Sequence, residues 1–286
     1  MQALKAIMVK FIGRNMWLTS LFRKAWTLWF LGYPDQSLAA LEETMIKIEQ
    51  LGQDHDLAFT FAIGICPLLY LQREYDQSEA QTKRLLGLAA RKNLHYFIPF
   101  GQIFLGAAMV KRGQMAEGQS KIRSGIRQYR EGGQKTFLSF SLSILIDSLG
   151  EDEEAGEVLD QALELVEKTG ERFFEAELWR QRGQYLEQRG AGPDEVEECF
   201  RKAQDIARRQ EAKSLELRAA TSLARLWQRQ RREQEAHTLL AGVLGWFTEG
   251  FETADQQEAQ TLLEELRYAC SEYIVERQEA ILNESS

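Results

Sequence analysis

A seven-residue pairing returns about every 40 residues along helix-forming sequence, and it constrains this chain more than anything else. The copies are Ala39 with Ile46, Ala80 with Gly87, Gly118 with Gly125, Ala155 with Ala162, Val196 with Ala203 and Ala236 with Val243. They start 41, 38, 37, 41 and 40 residues apart. Self-similarity at this period predicts stacked helix pairs, an all-α solenoid of antiparallel hairpins. Composition agrees. Only four prolines occur in 286 residues, and Leu, Ala, Glu, Gln and Arg dominate the long runs.

The last four copies are the most regular. Each places a small residue on its first helix (Gly106, Ser143, Gly183, Ala224) and a large apolar one three positions later (Met109, Ile146, Leu186, Trp227). Steps of four and then three along the second helix keep Gly118, Ile122 and Gly125, or Ala155, Leu159 and Ala162, on one face. Glycine inside a helix costs about 1 kcal/mol against alanine, which close helix approach would offset. Gly113, Gly150 and Gly190 fall where first helices should end, and Pro193 where a second helix should start. The turn Gly32-Tyr33-Pro34-Asp35 separates two helices near the start. Pro67 lies inside an apolar helical pattern, Leu57 to Leu71, and is expected to kink or shorten it.

Charge is uneven along the chain. Net charge is −8 overall, which argues against non-specific nucleic-acid binding by the whole surface. Residues 1–34 hold five Lys/Arg and no acid, whereas 251–286 hold nine acids against Arg267 and Arg277. The sequence divides into a basic apolar N-terminal helix (1–25), six helix pairs (26–250), and capping helices with an acidic tail (251–286). The apolar stretches read as too short to span a bilayer, so membrane contact is expected only through residues 1–25. Cys66, Cys199 and Cys270 are far apart with no CxxC, which points to reduced thiols in the cytoplasm.

Nothing in the sequence assembles a reaction centre. His55, His95 and His237 lack metal-ligand spacing, and no GxxxxGK[ST] phosphate loop occurs. The expectation is a chain without catalytic residues, cofactor or metal. Acidic runs such as Glu151 to Glu154 sit at second-helix starts and complement the helix dipole. Arg208, Arg209, Arg225, Arg229, Arg231 and Arg232 read as solvated helix ends, with no nucleic-acid module around them.

The segments LGYPDQSLA (Leu31–Ala39), KTGERFFEAELWRQRG (Lys168–Gly183), AKSLELRAATSLARLWQRQ (Ala212–Gln230) and GWFTEGFETADQQEAQTLLEEL (Gly245–Leu266) carry a family likeness. They resemble the tetratricopeptide repeat family in its long variant of about 40 residues. In particular they are similar to the repeat region that ends large bacterial signalling proteins with a class III adenylate/guanylate cyclase or DNA-binding domain and a STAND-type ATPase. The resemblance covers residues 26–266 and implies a right-handed superhelix whose first helices line a concave wall. Wall positions would be Phe100, Ile103, Ala107, Phe137, Phe140 and Ile144 in the middle, and Glu177, Arg180, Gln184, Arg218, Thr221 and Arg225 toward the C-terminus. The implied function is non-catalytic binding of a protein or peptide, with a cyclase or STAND ATPase subunit as candidate partner. A stand-alone scaffold or adaptor and a small-molecule sensor with an apolar inner pocket are the other readings. The repeats leave no room for a cyclase, so a split, truncated or independent form of such a protein is expected.

Overall fold

The computed structural model describes residues 16–51, 53–133 and 136–284, with side chains described within residues 19–269. Every regular element among them is helical, and within each unit helices pack in neighbouring pairs. Contacts divide the chain into two units, Met1–Phe174 and Glu175–Ser286.

In the first unit, α1 (Met16–Phe30) packs on α2 (Pro34–Leu51). Next come α3 (Asp54–Phe59), a π-helical turn (Thr60–Ile65) and α4 (Cys66–Leu71), which lean on α5 (Tyr75–Lys92). A short 3₁₀ turn leads to α6 (Ile98–Lys111) against α7 (Met115–Glu131), and then α8 (Leu138–Leu149) against α9 (Glu153–Thr169). The second unit pairs α10 (Glu175–Gln188) with α11 (Pro193–Arg209), and α12 (Lys213–Arg229) with α13 (Glu233–Leu244). A long helix, α14 (Ala254–Glu284), packs on both α12 and α13. First helices of successive pairs also touch: α6 meets α8, and α12 meets α10 and α14.

The repeat is a contact rule. Each pair's second helix, with the residues just after α13, buries four positions at steps of four, three and four. They are Ser37, Leu41, Thr44 and Ile48; Ser78, Thr82, Leu85 and Ala89; Gly118, Ile122, Gly125 and Tyr129. The later sets are Ala155, Leu159, Ala162 and Val166; Val196, Phe200, Ala203 and Ala207; Ala236, Leu240, Val243 and Phe247. In the first three pairs the leading residue of the set faces the first helix twelve residues back. The Ser37 hydroxyl donates to the Ala25 carbonyl at 2.7 Å, and Ser78 donates to the Cys66 carbonyl at 3.0 Å. At the third pair, a Cβ on Gly118 would lie 2.7 Å from the Gly106 carbonyl oxygen, and one on Gly106 would lie 2.6 Å from the Gly118 oxygen. Backbones therefore touch there, and neither glycine tolerates a side chain.

This rule corrects the register of the first two copies. Ala39 and Ala80 are exposed, Ile46 is 58% exposed, and the buried stripes begin at Ser37 and Ser78. A serine fills the contact as well as alanine does, because the facing carbonyl satisfies its hydroxyl. Gly183 serves a different purpose from Gly106. It opens space for the Phe200 ring, whose Cε1 would lie 2.5 Å from an added Cβ.

Pro67 acts as expected. The helix switches to π geometry before it, the Cys66 N–H donates to the Phe61 carbonyl, and α4 restarts with Pro67 in its first turn. The Gly64 carbonyl takes the Trp26 indole N–H at 2.9 Å. Gly32, Gly113, Gly150 and Gly190 enter the turns within pairs at positive φ, as the sequence predicts. Arg73 (φ 64°) and Arg231 (φ 61°) fill the same place in the second and sixth pairs, at a cost of about 1 kcal/mol each. The expectation that no stretch is long and apolar enough to span a bilayer does not hold as stated. Asp54–Leu71 meets that length and composition, although 67% of it is buried inside the protein. Residues 1–15 lie outside the described residues, and helix α1 begins at Met16 within the predicted N-terminal segment.

Candidate functional site

The predicted wall positions fall into two sets, one in each unit. In the first unit they are packed. Phe100 is buried with its ring 4.7 Å from that of Tyr129, and Ile103 is buried against Gly125. Ala107, Phe140 and Ile144 are also buried, and Phe137 is half-buried. Phe140 stacks edge-on to Phe174 at 4.8 Å and approaches Tyr70, Phe104 and Trp26 at 6.1–6.3 Å. Phe137 meets Trp26 at 5.6 Å and Phe173 at 5.3 Å, and Phe30 closes the cluster 6.2 Å from Phe173. Rings separated by more than 140 positions in sequence thus fill one region, and each edge-to-face pair adds about 0.5–1.5 kcal/mol beyond its buried area. Sequence reasoning found Phe137 and Phe140 but missed Trp26, Phe30, Tyr70, Phe104, Phe173 and Phe174.

One joint in this cluster is strained. Phe137 precedes α8 with φ of 61°, a left-handed conformation that a bulky residue rarely adopts. It offers no side-chain cap to the helix. Glu171, from beyond α9, supplies the acceptor instead. Its carboxylate accepts the Phe137 N–H at 2.7 Å and the Ser139 hydroxyl at 3.2 Å. Burial pushes the Glu171 carboxyl above its ordinary value, and these two hydrogen bonds only partly offset that. The Tyr129 phenol donates to the Thr136 carbonyl beside it and is raised chiefly by burial.

The second unit's wall positions form an ionic ladder. Arg180 makes a bidentate pair with Glu177, at 2.9 and 2.6 Å. Arg218 donates to Asp255 on α14 at 2.8 Å and lies 3.9 Å from Glu177. Burial alone would favour a neutral Arg218 guanidine, but Asp255 and Glu177 hold it charged and raise its pKa. Arg225 pairs with Glu258 at 2.5 Å, and Gln228 reaches Glu265 at 3.4 Å. Thr221 donates back to the Leu217 carbonyl, and Gln184 is half-buried. Arg180, Arg218 and Arg225 therefore already hold carboxylates of this chain. The missed partners Asp255 and Glu258 follow 37 and 33 residues after Arg218 and Arg225. The 33-residue step from Arg225 to Glu258 is shorter than any repeat spacing, so the period alone does not locate that partner.

Outside the ladder, α11 borders a shallow cleft of about 880 Å³, lined by Asp194, Glu197, Glu198, Arg201, Lys202, Asp205, Arg208, Arg209 and Arg232. Arg201 and Arg232 share Glu197, and Arg208 pairs with Glu216. Burial would raise the Glu197 carboxyl, but the hydrogen bonds it accepts, those from Arg201 and Arg232 among them, hold it below its ordinary value. The Lys202 ammonium sits 3.5 Å over the Trp179 ring. Asp194, Glu198, Asp205 and Arg209 make no ion pair among the described residues. No cluster of three or more metal-binding side chains occurs among the described residues, and Cys66 and Cys199 are buried thiols. Burial pushes the Cys66 thiol up to about 12.

No family model matches the chain. It is similar to an uncharacterized protein of Rhizobium meliloti (strain 1021), with 26% identity over 220 residues. That stretch is 76% of this chain and 21% of the relative, so the chain spans about a fifth of the length of the curated relative it matches.

Proposed function

We propose that this chain is a helical-repeat module of the tetratricopeptide kind, winding as a right-handed solenoid, that holds a protein or peptide partner and carries out no reaction itself. The observation that carries the reading is the twelve-residue contact between the two helices of a pair. It is made at Ser37, Ser78 and Gly118, the buried stripe that contains it recurs through the set beginning at Ala236, and stacking of similar units builds extended surfaces rather than enclosed pockets. A relative about five times longer than the matched stretch favours a role as one arm of a larger cytoplasmic protein, such as a cyclase or STAND-ATPase signalling system. The rings that fill the first unit weigh against a small-molecule pocket between the predicted wall positions.

Within this reading the partner contacts α11 rather than the ladder. Arg180 and Arg218 are committed to Glu177 and Asp255, whereas Lys202, Asp205 and Arg209 present charge of both signs on an open cleft. A peptide or helix carrying acids and bases in alternation suits that surface. The experiment is affinity capture from the host with the intact chain and with Lys202→Glu/Arg209→Glu. Loss of one captured protein with unchanged circular dichroism is the expected result. Equal capture by both forms would overturn the placement, and capture of no protein by the intact chain would overturn the binding reading.

A further inference from the structure

The Phe137–Glu171 joint combines two unfavourable features in a single contact. The first is a bulky residue in the left-handed region, and the second is a carboxylate partly withdrawn from water. Strained backbone persists only where the surroundings over-determine it, and such sites concentrate at clamps and switches. Here the surroundings are specific. Glu171 accepts the one backbone N–H that Phe137 offers and also holds Ser139 in the first turn of α8. The Phe137 carbonyl in turn receives both the Ser141 N–H at 3.0 Å and the Ser141 hydroxyl at 2.9 Å. On the side-chain face the Phe137 ring lies between Trp26 and Phe173, and Phe173 follows Glu171 by two residues. One short segment, Glu171 to Phe174, therefore caps α8 through its carboxylate and covers Phe137 and Phe140 through its rings.

We propose that this joint is a conformational latch. In the closed state Glu171 holds Phe137 left-handed, and the aromatic cluster is complete. When the Glu171 contact is lost, Phe137 relaxes to an ordinary conformation and withdraws from Trp26 and Phe173, while the helix pairs themselves remain folded. The proposal is independent of where any partner binds.

The test is native-state amide hydrogen exchange on the full chain, comparing wild type with Glu171→Ala and Glu171→Gln. The glutamine keeps an acceptor for the Phe137 N–H, whereas the alanine removes it. The latch predicts that Glu171→Ala speeds exchange across residues 136–142 by about tenfold or more. It also predicts that the α6–α7 segments change less than about twofold and that Glu171→Gln stays near wild type. Circular dichroism should show unchanged helicity in both variants. Uniform acceleration through the whole first unit would mean that Glu171 is merely part of a cooperative core, and would overturn the latch. So would exchange at 136–142 within about twofold of wild type in the alanine variant.

Discussion

The two units follow the same pairing rule but hold successive first helices together by opposite chemistry. In Met1–Phe174, rings do this work: Tyr70, Phe104 and Phe140 come from consecutive pairs, and Trp26, Phe137 and Phe173 complete the cluster. In Glu175–Ser286, arginines on α12 reach carboxylates on α10 and α14. Ring contacts are strong but tolerant of angle, since edge-to-face pairs form over a range of distances. Charge-assisted forks are directional and fix register. The first unit accordingly tolerates irregularities, namely a π-helical turn and a left-handed phenylalanine. The described pairs of the second unit contain no π turn, and their non-glycine positive-φ residues, Glu211 and Arg231, lie in turns.

The largest expected effect breaks the aromatic side of this contrast. Phe140→Ala removes a fully buried ring with partners from three other helix pairs, and should cost about 4 kcal/mol. Urea unfolding followed through the first unit checks it. On the ionic side, Arg218→Ala removes the buried guanidinium that faces Asp255 and Glu177 and should cost about 3 kcal/mol. Arg225→Ala, whose pair with Glu258 is more exposed, should cost under about 1 kcal/mol. Comparable losses from the two arginine variants would show that burial of the ladder does not matter. The Arg180 and Arg218 side chains are therefore poor probes of partner binding, because reversing them disturbs the fold first.

A smaller effect separates the units by pH. The folded-state pKa of Glu171 is raised, so the native chain holds that proton more tightly than the unfolded chain does. The stability due to this group is complete below the ordinary carboxylate value and is lost as pH rises through the raised one. Tyr129, at the same joint, is pushed upward and stays protonated throughout that window. Urea midpoints of wild type minus Glu171→Gln should decline as pH rises above the ordinary carboxylate value and level off once the raised one is passed. A difference that rises over this range would contradict the assigned direction.

Much of the architecture was legible because its causes are local. Pro67, the turn glycines and the four-then-three stripes of the later pairs each act within a few residues. The alanine and glycine spacing of the second helices misregisters the first two stripes, because serine stands in the contact there. Ser37 and Ser78 behave as small residues only when a carbonyl twelve positions back accepts their hydroxyls. Arg73 and Arg231 hide their turns because neither is glycine. The wall positions were chosen by helix face, which says nothing of what lies opposite. Trp26 beside Phe137, or Glu171 under the Phe137 N–H, depends on how separate pairs meet, and no local pattern encodes that.

Close backbone contact at the twelve-residue step is the central claim, and one paired measurement reaches it directly. Gly118→Val places a side chain where a Cβ already lies 2.7 Å from the Gly106 oxygen and 2.9 Å from the Val110 nitrogen. Gly87, the neighbour assigned by the uncorrected register, meets only the far end of Arg91 at 3.3 Å. Chemical denaturation of both variants should give a loss of about 3 kcal/mol for Gly118→Val and no loss, or a gain of up to about 1 kcal/mol, for Gly87→Ala. A Gly118→Val protein as stable as wild type would show that the pairs are not held at backbone contact.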